Sequence, residues 1–133
     1  MTDMDSWQGG PSRSMTMVFP GDTNHHGTLF GGVALAHMDR VAFIAASRHG
    51  RVPFVTAASE RIDFIAPAHE GDLVDAVACV VRVGRRSLDV DVELFVEMLL
   101  TGERKLCTKG RFTLVAKDVP EGFVLPALTA TDD

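Results

Sequence analysis

The residues whose types could do chemistry crowd into one early stretch, residues 20–40, PGDTNHHGTLFGGVALAHMDR. Asn24 lies in a polar, turn-rich loop, and its amide can hold a carbonyl group or a water. Gly31 and Gly32 stand where an apolar stretch begins. Asp39 is the one acid in that stretch. On a helix its neighbours three and four positions away are Leu35, Ala36, Ala42 and Phe43, all apolar, so its carboxylate is partly desolvated. That is a setting in which enzymes keep a general base. The plainer alternative is a structural acid paired with an arginine from another element.

The glycine pair suggests a complementary role. The first amides of a helix have no intrahelical acceptor, and glycine lets a substrate approach them closely. Such amides are a ready oxyanion hole. Taken alone, the pair fits a tight helix entry equally well. The adjacent His25 and His26 point apart and lack acids at metal-binding spacing, so no metal site is expected; His26 is a candidate lining residue. His37 reads as a helix-packing residue, and His49 and His69 as surface turn residues. Ser47, Ser59 and Ser87 lack a G-x-S-x-G context, which argues against a serine nucleophile. Arg82, Arg85 and Arg86 surround a turn at Gly84, with Arg61 and Lys117 near strand ends. They are either solvated turn charges or an anion clamp made of arginines and turn amides.

These groups need a scaffold. Residues 31–48 read as a helix apolar on nearly every face, hence buried, with His49-Gly50 as its stop. Strands are expected at 13–19, 54–66, 72–83, 87–98 and 104–116, punctuated by Pro67, Gly71 and Gly84. Residues 87–98 alternate cleanly: Leu88, Val90, Val92, Leu94 and Val96 face one way, and Asp89, Asp91, Glu93 and Glu97 the other. A three-residue loop, Thr101-Gly102-Glu103, would pair Leu94 with Gly110, Val92 with Phe112, Val90 with Leu114, Glu93 with Arg111 and Phe95 with Lys109. Gly110 would then let the helix backbone come close. The order strand, helix, four strands predicts an α+β chain, an antiparallel five-stranded sheet wrapped around one long central helix, which is the hotdog architecture. Residues 1–12 are expected to be a flexible arm, 13–118 a single domain and 119–133 a loosely ordered tail.

The 133 residues suit one core, and 46% of them are hydrophobic. A net charge of −5 argues against a nucleic-acid partner. No run approaches a membrane span, and the polar, acidic start lacks signal-peptide character, so a cytoplasmic protein is expected. Cys79 and Cys107, without CxxC spacing, read as buried free thiols. Geometry divides the site. Asp39 lies eight residues beyond Gly31, roughly 12 Å along a helix, too far to serve its own helix N-terminus. In a two-fold dimer, Asp39 of one subunit could meet Asn24 and Gly31 of the other. A sheet with exposed edges also calls for a dimer.

The chain resembles the hotdog-fold acyl-CoA thioesterases, specifically the cytosolic acyl-CoA hydrolase group. The resemblance rests on Asp22-Thr23-Asn24, Gly27, Phe30-Gly31-Gly32, Leu35 and Met38-Asp39. It continues through Phe64-Ile65-Ala66-Pro67, Gly71-Asp72, Val83-Gly84-Arg85, Ser87 and the strand from Phe112 to Ala116. The resemblance implies hydrolysis of acyl-CoA to fatty acid and coenzyme A without metal or nucleotide cofactor. It makes Asn24 and Asp39 the catalytic pair, from opposite hotdog units, with Asp39 as general base or nucleophile and the Gly31 amide on the oxyanion. Gly32 and His26 would adjoin the substrate, and the turn carrying Arg85, Arg86 and Ser87 would hold coenzyme A, with Arg82, Arg61 and Lys117 as further basic contacts. It implies a homodimer as the minimal active unit, assembled as a trimer of dimers. Two departures stand out: Arg86 where a threonine is common, and the charged run Ser59-Glu60-Arg61-Ile62-Asp63. The alternatives are a hotdog dehydratase, whose histidine position holds Val18 here, and a non-catalytic acyl-CoA-binding module.

Overall fold

In the computed structural model, which describes residues 10–128, the alternating strand does what its pattern demands. Leu88, Val90, Val92, Leu94 and Val96 are all buried in the core, beside Met38, Val41 and Ala42 of the helix. The elements are β1 (Ser12–Met17), a 3₁₀ turn (Pro20–Asp22), α1 (Gly31–Gly50), β2 (Phe54–Phe64), β3 (Leu73–Val83), β4 (Ser87–Glu97) and β5 (Arg104–Ala116). The strands form one antiparallel sheet in the order β1-β3-β4-β5-β2, with α1 packed on one face: the hotdog fold. No helix of the described residues is long and apolar enough to cross a membrane.

The β4–β5 register differs from expectation. Val92 pairs with Gly110, Val90 with Phe112 and Leu88 with Leu114; across the wet face Glu93 meets Lys109 and Asp91 meets Arg111. A shift of two residues keeps every side chain on its face, so alternation alone cannot reject it. The hairpin closes with Met98 N–H donating to Glu103 and Gly102 N–H to Met98, Gly102 taking a φ of 78°. The loop is thus longer than three residues. A bulge in β5, opposite the Leu94–Phe95 step of β4, leaves Cys107 without an opposite partner. Gly110 makes room for β2 rather than for the helix: a Cβ there would overlap the Ile62 side chain.

The helix is not buried all round. Ala34, His37, Met38, Val41, Ala42, Ala45 and Ala46 face the sheet, while Gly32, Ala36, Arg40 and Phe43 are exposed. His37 packs as expected, its Nε2 3.1 Å from the Ser14 carbonyl. The helix continues through Gly50, and the left-handed cap falls on Arg51 (φ 55°), whose N–H donates to Ser47. Gly50 therefore serves packing, not the turn. A Cβ there would sit 2.8 Å from the Phe54 ring and 3.0 Å from Leu125.

Leu125 belongs to the segment expected to be a loose tail. Its described part, up to residue 128, is docked instead. Leu125 is 3% exposed, Val119 and Phe123 pack on the core, and the His49 ring meets the Pro126 carbonyl at 2.7 Å. His49 is thus a helix residue that holds the tail rather than a surface turn residue. Part of the 1–12 arm lies outside the described residues; Ser12 already belongs to β1. Cys107 is buried as expected, but Cys79 is exposed on the sheet's outer face.

Candidate active site

The loop before the helix is built around one side chain. Asn24 Oδ1 accepts from His26 N–H (2.9 Å), Thr28 N–H (3.2 Å) and Thr28 Oγ1 (3.1 Å). Two backbone donors converging on that atom identify it as the oxygen. The amide nitrogen is left pointing elsewhere, with no acceptor among the described residues. Asn24 N–H donates to Thr28, Gly27 N–H to Asn24, and Gly27 takes the left-handed φ of 80° that closes the loop. His25 and His26 do not point apart: their rings lie 3.9 Å apart, tilted by 42°, both exposed.

Phe30, the residue before the helix, supplies no capping side chain. Ala34 N–H is already bonded to the Phe30 carbonyl at 3.0 Å, which leaves the Gly31, Gly32 and Val33 amides at the helix N-terminus. A cleft of about 280 Å³ opens beside them, lined by Thr28, Gly31, Phe64, Ile65, Pro67 and Cys107. The carbonyl of Cys107, the residue skipped in the β4–β5 pairing, accepts from both Ile65 and Ala66 N–H, so the β5 bulge shapes this wall. Gly31 touches the wall closely; a Cβ would meet the Phe64 ring at 3.3 Å. Gly32 faces open space.

Asp39 lies at the opposite end of β2 from this cleft. Its Oδ1 accepts from Thr56 Oγ1 at 2.6 Å, and its Oδ2 has no partner among the described residues. No arginine among them pairs with it, so the structural-acid alternative loses its partner. Thr56 immediately precedes a bulge in β2, between Thr56 and Ala58, and bulges re-aim side chains beside active sites. Thr56 was not singled out by sequence. The available signal was a lone hydroxyl on the inward side of a strand, two residues after Phe54. Within one protomer, then, Asp39 is tied to the start of β2 and Gly31 to its end, Phe64. The edge of β2 is unpaired among the described residues, and most of the strand is exposed.

The basic residues separate. Arg82 is engaged: Nε donates to Asp89 Oδ2 at 2.6 Å, and the guanidinium also reaches Ser87 Oγ at 3.4 Å. That guanidinium holds the Asp89 carboxyl below the usual carboxylate range, against the opposing effect of burial. Arg85, Arg86 and Lys117 are exposed with no side-chain partner among the described residues. All three lie at the end of the sheet that carries Thr56, since Ser87 pairs with Val115 and Thr56 with Leu114. Arg61 is elsewhere. It sits in a β2 irregularity at φ 57°, pairs with Glu60 at 3.5 Å, and lines a hollow of about 780 Å³ on the outer sheet face with Asp63, Cys79, Glu93 and Lys109. The structure does not bring it to the Gly84 turn. The thiols are raised, Cys79 by partial desolvation within the outer hollow and then by Glu93 and Asp91, Cys107 by burial, so neither is an activated nucleophile.

Residues 26–101 match the family model described as the thioesterase superfamily. The chain is 44% identical over 114 residues to an uncharacterised acyl-CoA thioester hydrolase of Bacillus subtilis, covering 82% of this chain and 66% of that one. It is 35% identical over 131 residues to an acyl-CoA thioester hydrolase of Salmonella typhimurium, covering 95% and 96%. Among solved structures, an acyl-CoA hydrolase from Agrobacterium tumefaciens superposes with a TM-score of 0.79 at 45% identity, covering 83% of this chain but 44% of that one. An acyl-CoA hydrolase from Staphylococcus aureus, in complex with butyryl coenzyme A and coenzyme A, gives 0.82 at 32% identity, covering 90% and 73%. A hexameric acyl-CoA thioesterase gives 0.79 at 35%, covering 92% and 81%. The Staphylococcus enzyme has also been crystallised with an asparagine, an aspartate or a threonine changed to alanine. Those three are spaced by 15 and 17 residues, as Asn24, Asp39 and Thr56 are here.

Proposed function

The chain belongs to the thioesterase superfamily, and from that premise we propose that it hydrolyses fatty acyl-CoA to a fatty acid and free coenzyme A. The observation that carries this reading is the Asp39 carboxylate, with one oxygen held by Thr56 and the other open. The matching spacing of the three residues mutated in the Staphylococcus relative supports the same assignment.

In this mechanism the thioester carbonyl lies against the helix N-terminus, its oxygen toward the Gly31 amide. The Asn24 amide nitrogen, aimed by the three bonds to its oxygen, donates to the carbonyl or to the attacking water. Asp39 Oδ2 takes a proton from that water, which adds to the carbonyl carbon. The C–S bond breaks, and the coenzyme A thiolate leaves and is protonated. In the nucleophile variant Oδ2 adds first and water then cleaves the acyl-aspartyl anhydride. Single turnover in ¹⁸O-water with excess enzyme identifies the nucleophile route when water attacks the aspartyl carbonyl of the anhydride: the first fatty acid released then carries unlabelled enzyme oxygen and Asp39 takes up the label.

Because one protomer keeps Asp39 and Gly31 at opposite ends of β2, the complete site takes its halves from two chains. The unpaired β2 edge and the exposed helix stripe with Ala36 and Phe43 are the surfaces that such a dimer covers. Three dimers then make a hexamer like the hexameric relative. The free arginines Arg85 and Arg86, with Lys117, are the residues placed to hold the phosphates of coenzyme A. Arg82 instead braces the turn through Asp89 and Ser87. Thiol release from acyl-CoAs of several chain lengths tests the proposal. Release abolished by Asp39→Asn, with coenzyme A affinity kept, supports it; tight acyl-CoA binding without release contradicts it.

A further inference from the structure

The docked tail ends on the turn that carries the free arginines. Leu125 N–H donates to the Arg85 carbonyl at 2.9 Å, and the Leu125 side chain is buried against Gly50 and the core. The turn is held from other sides as well: Ala116 N–H donates to the Arg86 carbonyl at 2.7 Å, and Gly84 N–H to Ser87 at 2.7 Å. Arg85 is thus the residue of this turn whose carbonyl is secured by the tail, while its side chain stays exposed and unpaired among the described residues. The tail is itself clamped at the His49–Pro126 contact of 2.7 Å, and its turn closes with Phe123 N–H on the Pro120 carbonyl. Ring, buried leucine and backbone bond together connect the C-terminal end of the central helix to the arginine turn.

We infer that the segment from Val119 to Pro126 is a positioning strap for phosphate binding, with Leu125 as its positioning residue. The inference rests on the assignment of Arg85 and Arg86 to coenzyme A. A side chain loses less entropy on gripping an anion when its backbone is already fixed. The strap fixes that backbone without touching the thioester or Asp39. Its effect is therefore confined to the nucleotide end of the substrate.

The experiment compares the parent with Leu125→Ala and with a chain ended after Phe123. Coenzyme A affinity is measured by calorimetry. Hydrolysis is measured with an acyl-CoA and with the same acyl group on N-acetylcysteamine, a thiol without phosphates. The expected result is coenzyme A binding weakened by about tenfold and KM for acyl-CoA raised to match, the size of one charge-assisted hydrogen bond. The kcat for both substrates and the KM for the N-acetylcysteamine thioester stay within about twofold of the parent, a factor worth less than half of such a bond. Equal losses on both substrates would mean that Leu125 only stabilises the fold, and would overturn the inference. So would unchanged coenzyme A affinity in both variants. A parent that neither binds coenzyme A nor cleaves either thioester overturns the functional reading beneath it, and this inference with it.

Discussion

Thr56→Val is the substitution that probes the proposed catalytic carboxylate, Asp39, most selectively. It keeps the shape of the side chain and removes the one hydroxyl that reaches Asp39. The bond is 2.6 Å long and has a carboxylate acceptor, and a hydrogen bond to a charged group is worth about 1.5–3 kcal/mol. Thr56 is exposed in the protomer, so solvent screening favours the lower figure. If the bond holds Asp39 in its reactive orientation, all of that energy counts in the transition state. The expected fall in kcat/KM is then about tenfold, since about 1.4 kcal/mol corresponds to a factor of ten. Thr56→Ser, which restores the hydroxyl, recovers most of it. The assay is thiol release from one acyl-CoA across its KM, with coenzyme A affinity as the control for folding. Activity within about twofold of the parent in Thr56→Val, alongside an inactive Asp39→Asn, would refute the claim that this bond orients the base, because the predicted loss exceeds that.

Gly50→Ala drives a methyl group into the Phe54 ring and Leu125 within a closed core, so it destabilises by about 1–3 kcal/mol in denaturant titrations at fixed protein concentration, although alanine is the better helix former. Asp75 is fully buried between Arg13 and Arg104. Burial alone would raise its carboxyl, but the two guanidiniums outweigh that and hold it below the usual range. A carboxyl lowered on folding adds stability that is complete above its unfolded value, near 3.9, and is lost as pH falls through the lower folded value. Asp75→Asn therefore lowers stability by about 2 kcal/mol at neutral pH and flattens the acid limb of a stability-against-pH curve below about pH 4. With Arg85 and Arg86 on the coenzyme A phosphates, as proposed, Arg85→Ala with Arg86→Ala raises KM for acyl-CoA by about 10- to 100-fold with little change in kcat, because those phosphates lie far from the reacting centre.

How much of this was legible in the sequence depended on how local the physics was. The alternation of residues 87–98 reports directly on one buried face, and all five inward residues are in the core. The isolated acid at Asp39 and the Asn24 loop were visible because their residue types are unusual for their surroundings. Register was not: pairings two residues apart keep the same faces, and the Cys107 bulge that adjusts them leaves no compositional mark. Gly50 looked like a helix stop because its packing partners, Phe54 and Leu125, are supplied by other segments. Leu125 itself sits in a short apolar stretch without periodicity, so nothing local revealed that it would plug the core. Thr56 shows the same limit. Its role depends on a strand bulge that aims it at a helix residue 17 positions away, a long-range contact with no local signature.

In the proposed dimer each active site is built from two chains, Asp39 from one and Asn24 with Gly31 from the other. The direct measurement is complementation between Asp39→Ala and Asn24→Ala chains carrying different tags and purified as heterodimers. Each homodimer should be nearly inactive. Each heterodimer contains one doubly damaged site and one intact site, so thiol release should return to half the parent rate per dimer. Heterodimers as inactive as the homodimers, with their assembly verified, would contradict the claim and place the whole site within one chain.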